Sequence, residues 1–349
     1  MPRHVWLSGL RVAAADDGPR HLPAGAMMKR AGILTILATV LLWGLALPLT
    51  AHGQTCTATA SNVVFNSVSP VSGAAATANG TISIQCTGFA LGRARVCLGI
   101  GTGSGGTTML PRTLTSGSGT LNYNLYANSG YTTVWGTRGA SGTSYVQLDI
   151  PMTLGTGQAT VTVYGQVPAN QSAVRAGAYQ SSFTSAFTEM NYAEYVLIGP
   201  NCATLTSPVA RFPFTVTANV VSDCVITATD VDFGTRGVLA AASTATGTIT
   251  ARCTNGSPYT LSINAGTSAG ASIGNRRMQR SGGTEQVSYQ LYQNAGYSIP
   301  WGDGTAGTSV LSGTGTGTAQ TYTVYGRVPA QITPIAGTYV DTVTVTVTY

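Results

Sequence analysis

One module is written twice in this chain, and the second copy is the shorter. Leu125-Tyr126-Ala127-Asn128-Ser129-Gly130-Tyr131, followed by Trp135-Gly136, returns as Leu291-Tyr292-Gln293-Asn294-Ala295-Gly296-Tyr297, followed by Trp301-Gly302, an offset of 291 − 125 = 166. Thr162-Val163-Tyr164-Gly165-Gln166-Val167-Pro168 returns as Thr323-Val324-Tyr325-Gly326-Arg327-Val328-Pro329, and Ala176-Gly177 with Tyr179 as Ala336-Gly337 with Tyr339. Two homologous domains are expected, at residues 54–205 and 206–349. After Tyr179 the first copy runs on through Phe183, Phe187, Tyr192 and Val196 to Cys202, whereas the sequence stops at Tyr349 soon after Tyr339. If each module is a β-sandwich, the first completes itself and the second is expected to lack its last strand. Such a domain presents an apolar groove and an open edge that another polypeptide must fill.

The secondary-structure signal is almost entirely β. Asp341-Thr342-Val343-Thr344-Val345-Thr346-Val347-Thr348-Tyr349 alternates strictly, which puts Val343, Val345, Val347 and Tyr349 on one face and the threonine hydroxyls on the other. These four side chains mark the expected strand-acceptor edge. Residues 80–85 and 160–164 alternate more briefly, and turns such as Gly101-Thr102-Gly103-Ser104-Gly105-Gly106 separate the runs. No helix-period stretch follows Gly53. The expected fold class is all-β, as two tandem immunoglobulin-like antiparallel β-sandwiches with the second short of its final strand.

Ahead of the repeats lies an expected export signal at residues 27–53, with Lys29-Arg30 as its positive region, residues 33–47 as its apolar core and Thr50-Ala51-His52-Gly53 as its cleavage region. The core is 47 − 33 + 1 = 15 residues and is closed by Pro48, short of the ~20 that a spanning helix needs. Cleavage would leave a mature chain beginning at Gln54. Residues 1–26 precede Met27-Met28 and read as an upstream extension from a mis-assigned start.

Removing residues 1–53 takes with it all three histidines (His4, His21, His52) and the single lysine, Lys29. A histidine-based triad, a zinc–histidine site and a lysine Schiff base are thereby excluded from the mature chain. The remaining charge is 12 basic against 9 acidic residues, or +3, so nothing points to nucleic acid. The carboxylates Asp149, Glu189, Glu194 and Asp303 are scattered through Gly/Thr-rich sequence without a neighbouring base. No enzyme and no cofactor are expected. Charged residues make up 8% of the chain, against roughly 25% in ordinary domains, and a Gly/Thr/Ser/Asn surface of that kind suits an extracellular fibre or shell.

All six cysteines lie after Gly53, and an exported chain forms disulfides by default. Cys56 precedes Val64-Phe65 as Cys224 precedes Asp232-Phe233, and Cys86 follows Gly80-Thr81-Ile82 as Cys253 follows Gly247-Thr248-Ile249. Equivalent residues should make equivalent bonds, which gives Cys56–Cys86, Cys224–Cys253 and, for the first module alone, Cys97–Cys202.

Both copies resemble the spore coat protein U domain. The resemblance rests on the first Cys leading to Phe233-Gly234 (Phe65-Asn66 in the first copy), the second Cys after an alternating strand, the Leu-Tyr-x-Asn-x-Gly-Tyr…Trp-Gly and Val-Tyr-Gly-x-Val-Pro segments, and the closing Ala-Gly-x-Tyr. An export signal followed by two such domains is similar to the tip adhesins of archaic, Csu-type chaperone–usher pili. That resemblance implies a periplasmic pilus chaperone, an outer-membrane usher and an adjacent pilin subunit as partners, and export through the periplasm to the pilus tip at the cell surface. Cys56 stands two residues after Gln54, which leaves no N-terminal strand to donate and favours the tip position. A spore-coat or cell-surface shell protein is the alternative.

In such adhesins hydrophobic loops of the first domain grip an abiotic or host surface and support biofilm formation, so apolar residues private to the first copy are the binding candidates. Tyr131 and Trp135 recur as Tyr297 and Trp301 and are expected to be structural. Tyr145-Val146-Gln147-Leu148-Asp149-Ile150-Pro151-Met152 stands where the second copy has Ser309-Val310-Leu311-Ser312-Gly313, Met109-Leu110-Pro111 is set against Gly274-Asn275-Arg276, and Phe89-Ala90-Leu91 against Gly256-Ser257-Pro258. Met109, Leu110, Tyr145, Val146, Leu148, Ile150 and Met152 are the candidate surface-binding residues. The alternation of Val146, Leu148 and Ile150 fits an extra strand equally well.

Overall fold

The computed structural model describes residues 53–88, 91–117 and 119–349. The expected export signal, except Gly53, the upstream extension, and Phe89 and Ala90 lie outside the described residues. Among the described residues every regular element is a strand. The first sandwich is built from β1 (Thr55–Ala60), β2 (Val63–Val68), β3 (Ala76–Thr87), β4 (Leu91–Ile100), β5 (Arg112–Ser116), β6 (Gly119–Tyr126), β7 (Val146–Thr153), β8 (Thr156–Val167), β9 (Gly177–Phe183), β10 (Thr188–Tyr195), β11 (Val209–Ala210) and β12 (Phe214–Val220). The second is built from β13 (Cys224–Ala228), β14 (Ser243–Cys253), β15 (Pro258–Ile263), β16 (Arg276–Arg280), β17 (Gln286–Tyr292), β18 (Leu311–Thr314), β19 (Gln320–Val328), β20 (Tyr339–Val340) and β21 (Val345–Thr348).

Alternation explains most of these strands. In β3, Ile82, Ile84 and Cys86 are buried while Thr81, Ser83, Gln85 and Thr87 face solvent, the period-2 pattern of a sheet with one dry face. Burying each isoleucine stabilises the fold by about 1.5–3 kcal/mol. One leaf of the first sandwich runs β1–β3–β8–β6–β5–β9–β12–β2, and β7–β4–β10–β11 form the other. The second sandwich repeats this with β13–β14–β19–β17–β16–β20 opposite β18–β15–β21. Counterparts of β2, β11 and β12 are absent from the second set of ladders.

Sheet membership shifts the expected division after residue 205. β11 pairs with β10 through Met190↔Ala210, and β12 pairs with β9 from Phe214↔Phe183 to Val220↔Gly177 and, parallel, with β2. Phe212 and Val216 are fully buried in the first core, because Phe214 stacks on Phe183 at 4.6 Å and the strand closes that side of the sandwich. The first sandwich therefore reaches Val220.

The repeated motifs have structural work in both copies. Asn128 Oδ1 accepts hydrogen bonds from the Thr132 and Thr133 amides (3.3 and 2.9 Å), and Asn294 Oδ1 does the same for Ser298 and Ile299 (3.2 and 3.0 Å). These bonds hold a turn in which Tyr131 and Tyr297 take left-handed φ values of 53° and 51°. Tyr131 then stands edge-on to Tyr126 and Tyr164, as Tyr297 does to Tyr292 and Tyr325. The glycine of each Val-Tyr-Gly motif is required by close approach: a Cβ on Gly165 would lie 2.9 Å from Phe65 Cζ, and one on Gly326 2.9 Å from Phe233 Cζ.

Candidate functional site

Two surfaces stand out, one at the far end of the first sandwich and one along the flank of the second. At the first, three loops converge. Leu91 opens β4 opposite Thr153, the turn from β7 to β8 carries Leu154, and the Gly88 amide donates to the Gly155 carbonyl at 2.9 Å. Tyr195, the end of β10, lies opposite Arg93 of β4 and delivers Val196-Leu197-Ile198 to the same place. Leu91, Leu154, Val196, Leu197 and Ile198 are 78–91% exposed. Five aliphatic side chains are thus left in water at one end, and exposed apolar residues grouped in this way make that end the candidate interaction surface.

Arg95 supports this end from below. Its Nε donates to Asp149 Oδ1 of β7 at 2.5 Å, its Nη1 donates to the Pro200 carbonyl at 2.8 Å, and the guanidinium lies 5.4 Å from the Tyr195 ring centroid. The hydrogen bond to Asp149 raises the Arg95 pKa above its ordinary value. Burial pushes the Asp149 carboxyl up, but hydrogen bonds from Arg95 and Tyr195 outweigh it and leave the group below its usual value. Cys202 is bonded to Cys97 of β4, which pins the same loop covalently. The other bonds are Cys56–Cys86 and Cys224–Cys253.

The sequence candidates are distributed differently. Residues 146–153 form β7, paired with β4, so the extra-strand alternative is the one observed. Ile150 and Met152 are 1% and 4% exposed and belong to the core, where they cannot meet a surface, and Val146 and Leu148 pack half-buried against it. Met109, Leu110 and Tyr145 lie towards the other end of β4: Arg112, which follows Met109 and Leu110, donates to the Ile100 carbonyl, and Val146, which follows Tyr145, pairs with Leu98. Leu110 is half-exposed and Met109 and Tyr145 are partly buried. Of the segment 89–91, Leu91 reaches the aliphatic end and Phe89 lies outside the described residues. Leu154 and Val196-Leu197-Ile198 were not singled out by sequence comparison, although a run of three aliphatics before Gly199-Pro200, in a stretch without a counterpart, is a readable signal.

The equivalent end of the second sandwich is covered. Its loop from β14 to β15 meets the first sandwich, where Asn255 Nδ2 donates to the Ala173 carbonyl at 2.8 Å and Ser69 Oγ bonds the Asp223 carboxylate. Those first-sandwich loops lie at the end opposite the aliphatic patch, because β8 runs from Thr156 at the patch to Val167 beside them.

The second surface is a groove of about 640 Å³ lined by Val231, Phe233, Leu239, Met278, Val287 and Tyr339 among others. Its equivalent in the first sandwich is filled by β12. There Ala218 pairs with Phe65 on one side and Tyr179 on the other, and Phe65 and Tyr179 are 2% and 3% exposed. Phe233 and Tyr339, their counterparts, are only partly buried, and no strand of the described residues lies between them. The repeat offset of 339 − 179 = 160 places the acceptor segment at residues 337–343. Val343 is therefore on it. Val345 and Val347 are not: they pair with Ile263 and Leu261 of β15, because the chain changes leaf after Val343. Tyr349 is half-exposed, with its hydroxyl 3.4 Å from Asp223 Oδ1.

A buried arginine in each sandwich escaped the sequence reading. Arg112 Nε donates to Gly101 O (2.7 Å), Nη1 to Asn124 Oδ1 (2.8 Å) and Nη2 to Ile100 O and Trp135 O (2.7 and 2.6 Å). Arg276 donates to Asn264 O, Gln290 Oε1, Ile263 O and Trp301 O. Arg112 is thus the counterpart of Arg276, and Met109-Leu110-Pro111 stands one residue earlier in register, against Ile273-Gly274-Asn275.

Comparison with known proteins agrees with this architecture. Protein U of Myxococcus xanthus is 36% identical over 108 residues, 30% of this chain, and the match spans 59% of that relative. A chain of the CsuC–CsuE chaperone–tip adhesion subunit pre-assembly complex, from archaic chaperone–usher Csu pili of Acinetobacter baumannii, is 19% identical. It superposes with a TM-score of 0.52 over 84% of this chain and 100% of its own, a likeness of fold. The CupB6 tip adhesin of Pseudomonas aeruginosa covers 84% of this chain and 93% of its own at 10% identity and a TM-score of 0.33. The Spore Coat Protein U domain model matches residues 45–186 and again residues 210–346, and with most of its length covered by these two matches the chain belongs to the spore coat protein U domain family.

Proposed function

We propose that this protein is the tip adhesin subunit of an archaic chaperone–usher pilus, holding surfaces through the aliphatic end of its first sandwich and joining the fibre through the groove of its second. The carrying observation is the contrast between the two sandwiches: one groove is occupied by the chain's own β12 and the equivalent groove between Phe233 and Tyr339 is open. An open apolar groove with an unpaired edge needs a strand from another polypeptide. A periplasmic chaperone would fill it before assembly, an outer-membrane usher would export the pair to the cell surface, and a neighbouring pilin would then supply the strand. Leu91, Leu154, Val196, Leu197 and Ile198 suit an apolar abiotic or host surface, since each loses water on contact. The role is one of binding, without catalysis.

Fusing an alternating apolar strand after Tyr349 through a flexible Gly/Ser linker tests the reading. The fusion should raise the Tm of the second sandwich and suppress aggregation of the full chain. Unchanged Tm and aggregation would show that the groove does not take a strand.

A further inference from the structure

The bond Cys97–Cys202 belongs to the first sandwich alone, and its position is informative when the path of a pulling force is followed. The two sandwiches are joined by residues 221–223, which continue directly from Val220 at the end of β12. β12 lies antiparallel to β9 from Phe214↔Phe183 to Val220↔Gly177 and parallel to β2 from Val216↔Val63 to Val220↔Val68. Tension entering at Val220 therefore runs along the strand. The ladder bonds on both its sides are sheared together rather than opened one at a time.

Behind β12 the chain leads back through β11 to Cys202, and Cys202 is bonded to Cys97 of β4. β4 begins at Leu91, and Val196-Leu197-Ile198 precede Cys202 by 202 − 196 = 6 to 202 − 198 = 4 residues. Two of the three loops of the aliphatic end are thus fixed to the staple by short lengths of chain.

We propose that Cys97–Cys202 is a mechanical stop, in which β12 yields first under tension and the disulfide confines the released chain to residues 203–220. The staple spans 105 residues, including β5 to β10, and unravelling that starts at β12 cannot draw on them. The aliphatic end stays joined to the second sandwich through a folded leaf and a slack of 220 − 203 + 1 = 18 residues. That load enters at the aliphatic end rests on the function proposed above; the path through β12 and the staple rests on connectivity alone.

Single-molecule pulling on the full chain tests this, with one handle on a bioorthogonal side chain at position 91 and the other after Tyr349. Leu91 is 78% exposed, so the handle disturbs little packing. In the oxidised protein the first-sandwich event should release 18 residues plus up to 97 − 91 = 6 from β4, about 60–85 Å at ~3.3–3.6 Å per residue, and should recover on relaxation. The Cys97→Ser/Cys202→Ser variant should gain a further 105 residues, roughly 350–380 Å. Should that variant not fold, reducing the native protein under load should add 105 + 29 = 134 residues, because Cys224–Cys253 opens as well. A longer first step in the oxidised protein, or the same short step with the bond removed, would overturn the proposal. A capped step from a protein that binds no surface would leave the stop standing and remove the adhesin reading.

Discussion

Arg112 and Trp135 are joined through the tryptophan carbonyl, Nη2 to O at 2.6 Å, and Arg276 and Trp301 repeat the bond at 2.9 Å. Each arginine is fully buried, and its guanidinium donates to three backbone carbonyls and one side-chain amide. The planar fork closes the end of a strand, a turn and the Trp-Gly segment at once. Burial pushes the Arg112 pKa down to about 10, which leaves it charged at neutral pH.

Lysine cannot reproduce that fork, so Arg112→Lys should leave at least two buried carbonyls without donors. At about 1–3 kcal/mol for each unsatisfied group, the first sandwich should lose roughly 2–6 kcal/mol. Urea denaturation of the oxidised protein measures the loss. A change below about 1 kcal/mol would mean that water replaces the guanidinium without cost.

Surface and core apolar residues of the first sandwich should separate cleanly. Leu154→Ser, Leu197→Ser and Ile198→Ser change exposed loops and should move stability by no more than about 0.5 kcal/mol, while attachment to apolar surfaces falls. Ile150→Ser, four residues before Leu154 but in the core, should cost several kcal/mol through lost burial and an unpaired hydroxyl. Attachment, Tm and surface display measured together decide the matter; unaltered attachment in the triple loop variant would remove the aliphatic end from the binding surface.

The fold was legible in the sequence where a motif recurred. Trp135 and Trp301, the Asn-capped turns and the closing tyrosines each imposed the same local geometry twice, so alternation and repetition sufficed. The private parts were less readable. β7 is paired along its whole length to β4, and only that pairing shows that Ile150 and Met152 face inward. β12 could not be assigned to the first sandwich from local pattern, because Phe214 and Val216 alternate as any half-buried strand does. Its parallel partner, β2, is more than 140 residues away (216 − 63 = 153). The arginines were missed because a charged residue before an alternating run ordinarily faces water.

Buried phenols should make the second sandwich sensitive to alkali. Burial, then the hydrogen bond to Asp341, raises the Tyr289 pKa above its ordinary 10, and burial with Tyr322 raises that of Tyr259. A group raised on folding contributes stability that is complete below pH 10, its unfolded value, and is lost as pH climbs beyond it. Arg112 acts in the opposite sense above about pH 10, since burial makes its folded value the lower. Tyr289→Phe isolates one contribution: it should be less stable than the native protein at pH 8, for want of the bond to Asp341, yet lose stability less steeply from pH 10 to 11.5. Parallel curves would show that Tyr289 titrates normally.

The strand that fills the first groove describes the strand the second should accept. Phe214, Val216, Ala218 and Val220 face inward from β12, and Ala218 pairs with Phe65 on one side and Tyr179 on the other, all three being buried. Phe233 and Tyr339 frame the same position in the second sandwich, and Gly326 lies beneath Phe233 as Gly165 lies beneath Phe65. A peptide of the sequence of residues 212–221 added to the full chain should therefore bind and raise the Tm of the second sandwich. Replacing its alanine, the equivalent of Ala218, with leucine should abolish that effect, because overpacking a closed site costs about 1–3 kcal/mol. Replacing an outward threonine with serine should change nothing. If the leucine peptide stabilises as well as the alanine peptide, the second groove is wider than the first and its donor strand is chosen on other grounds. If no peptide acts, the open groove is not a strand site.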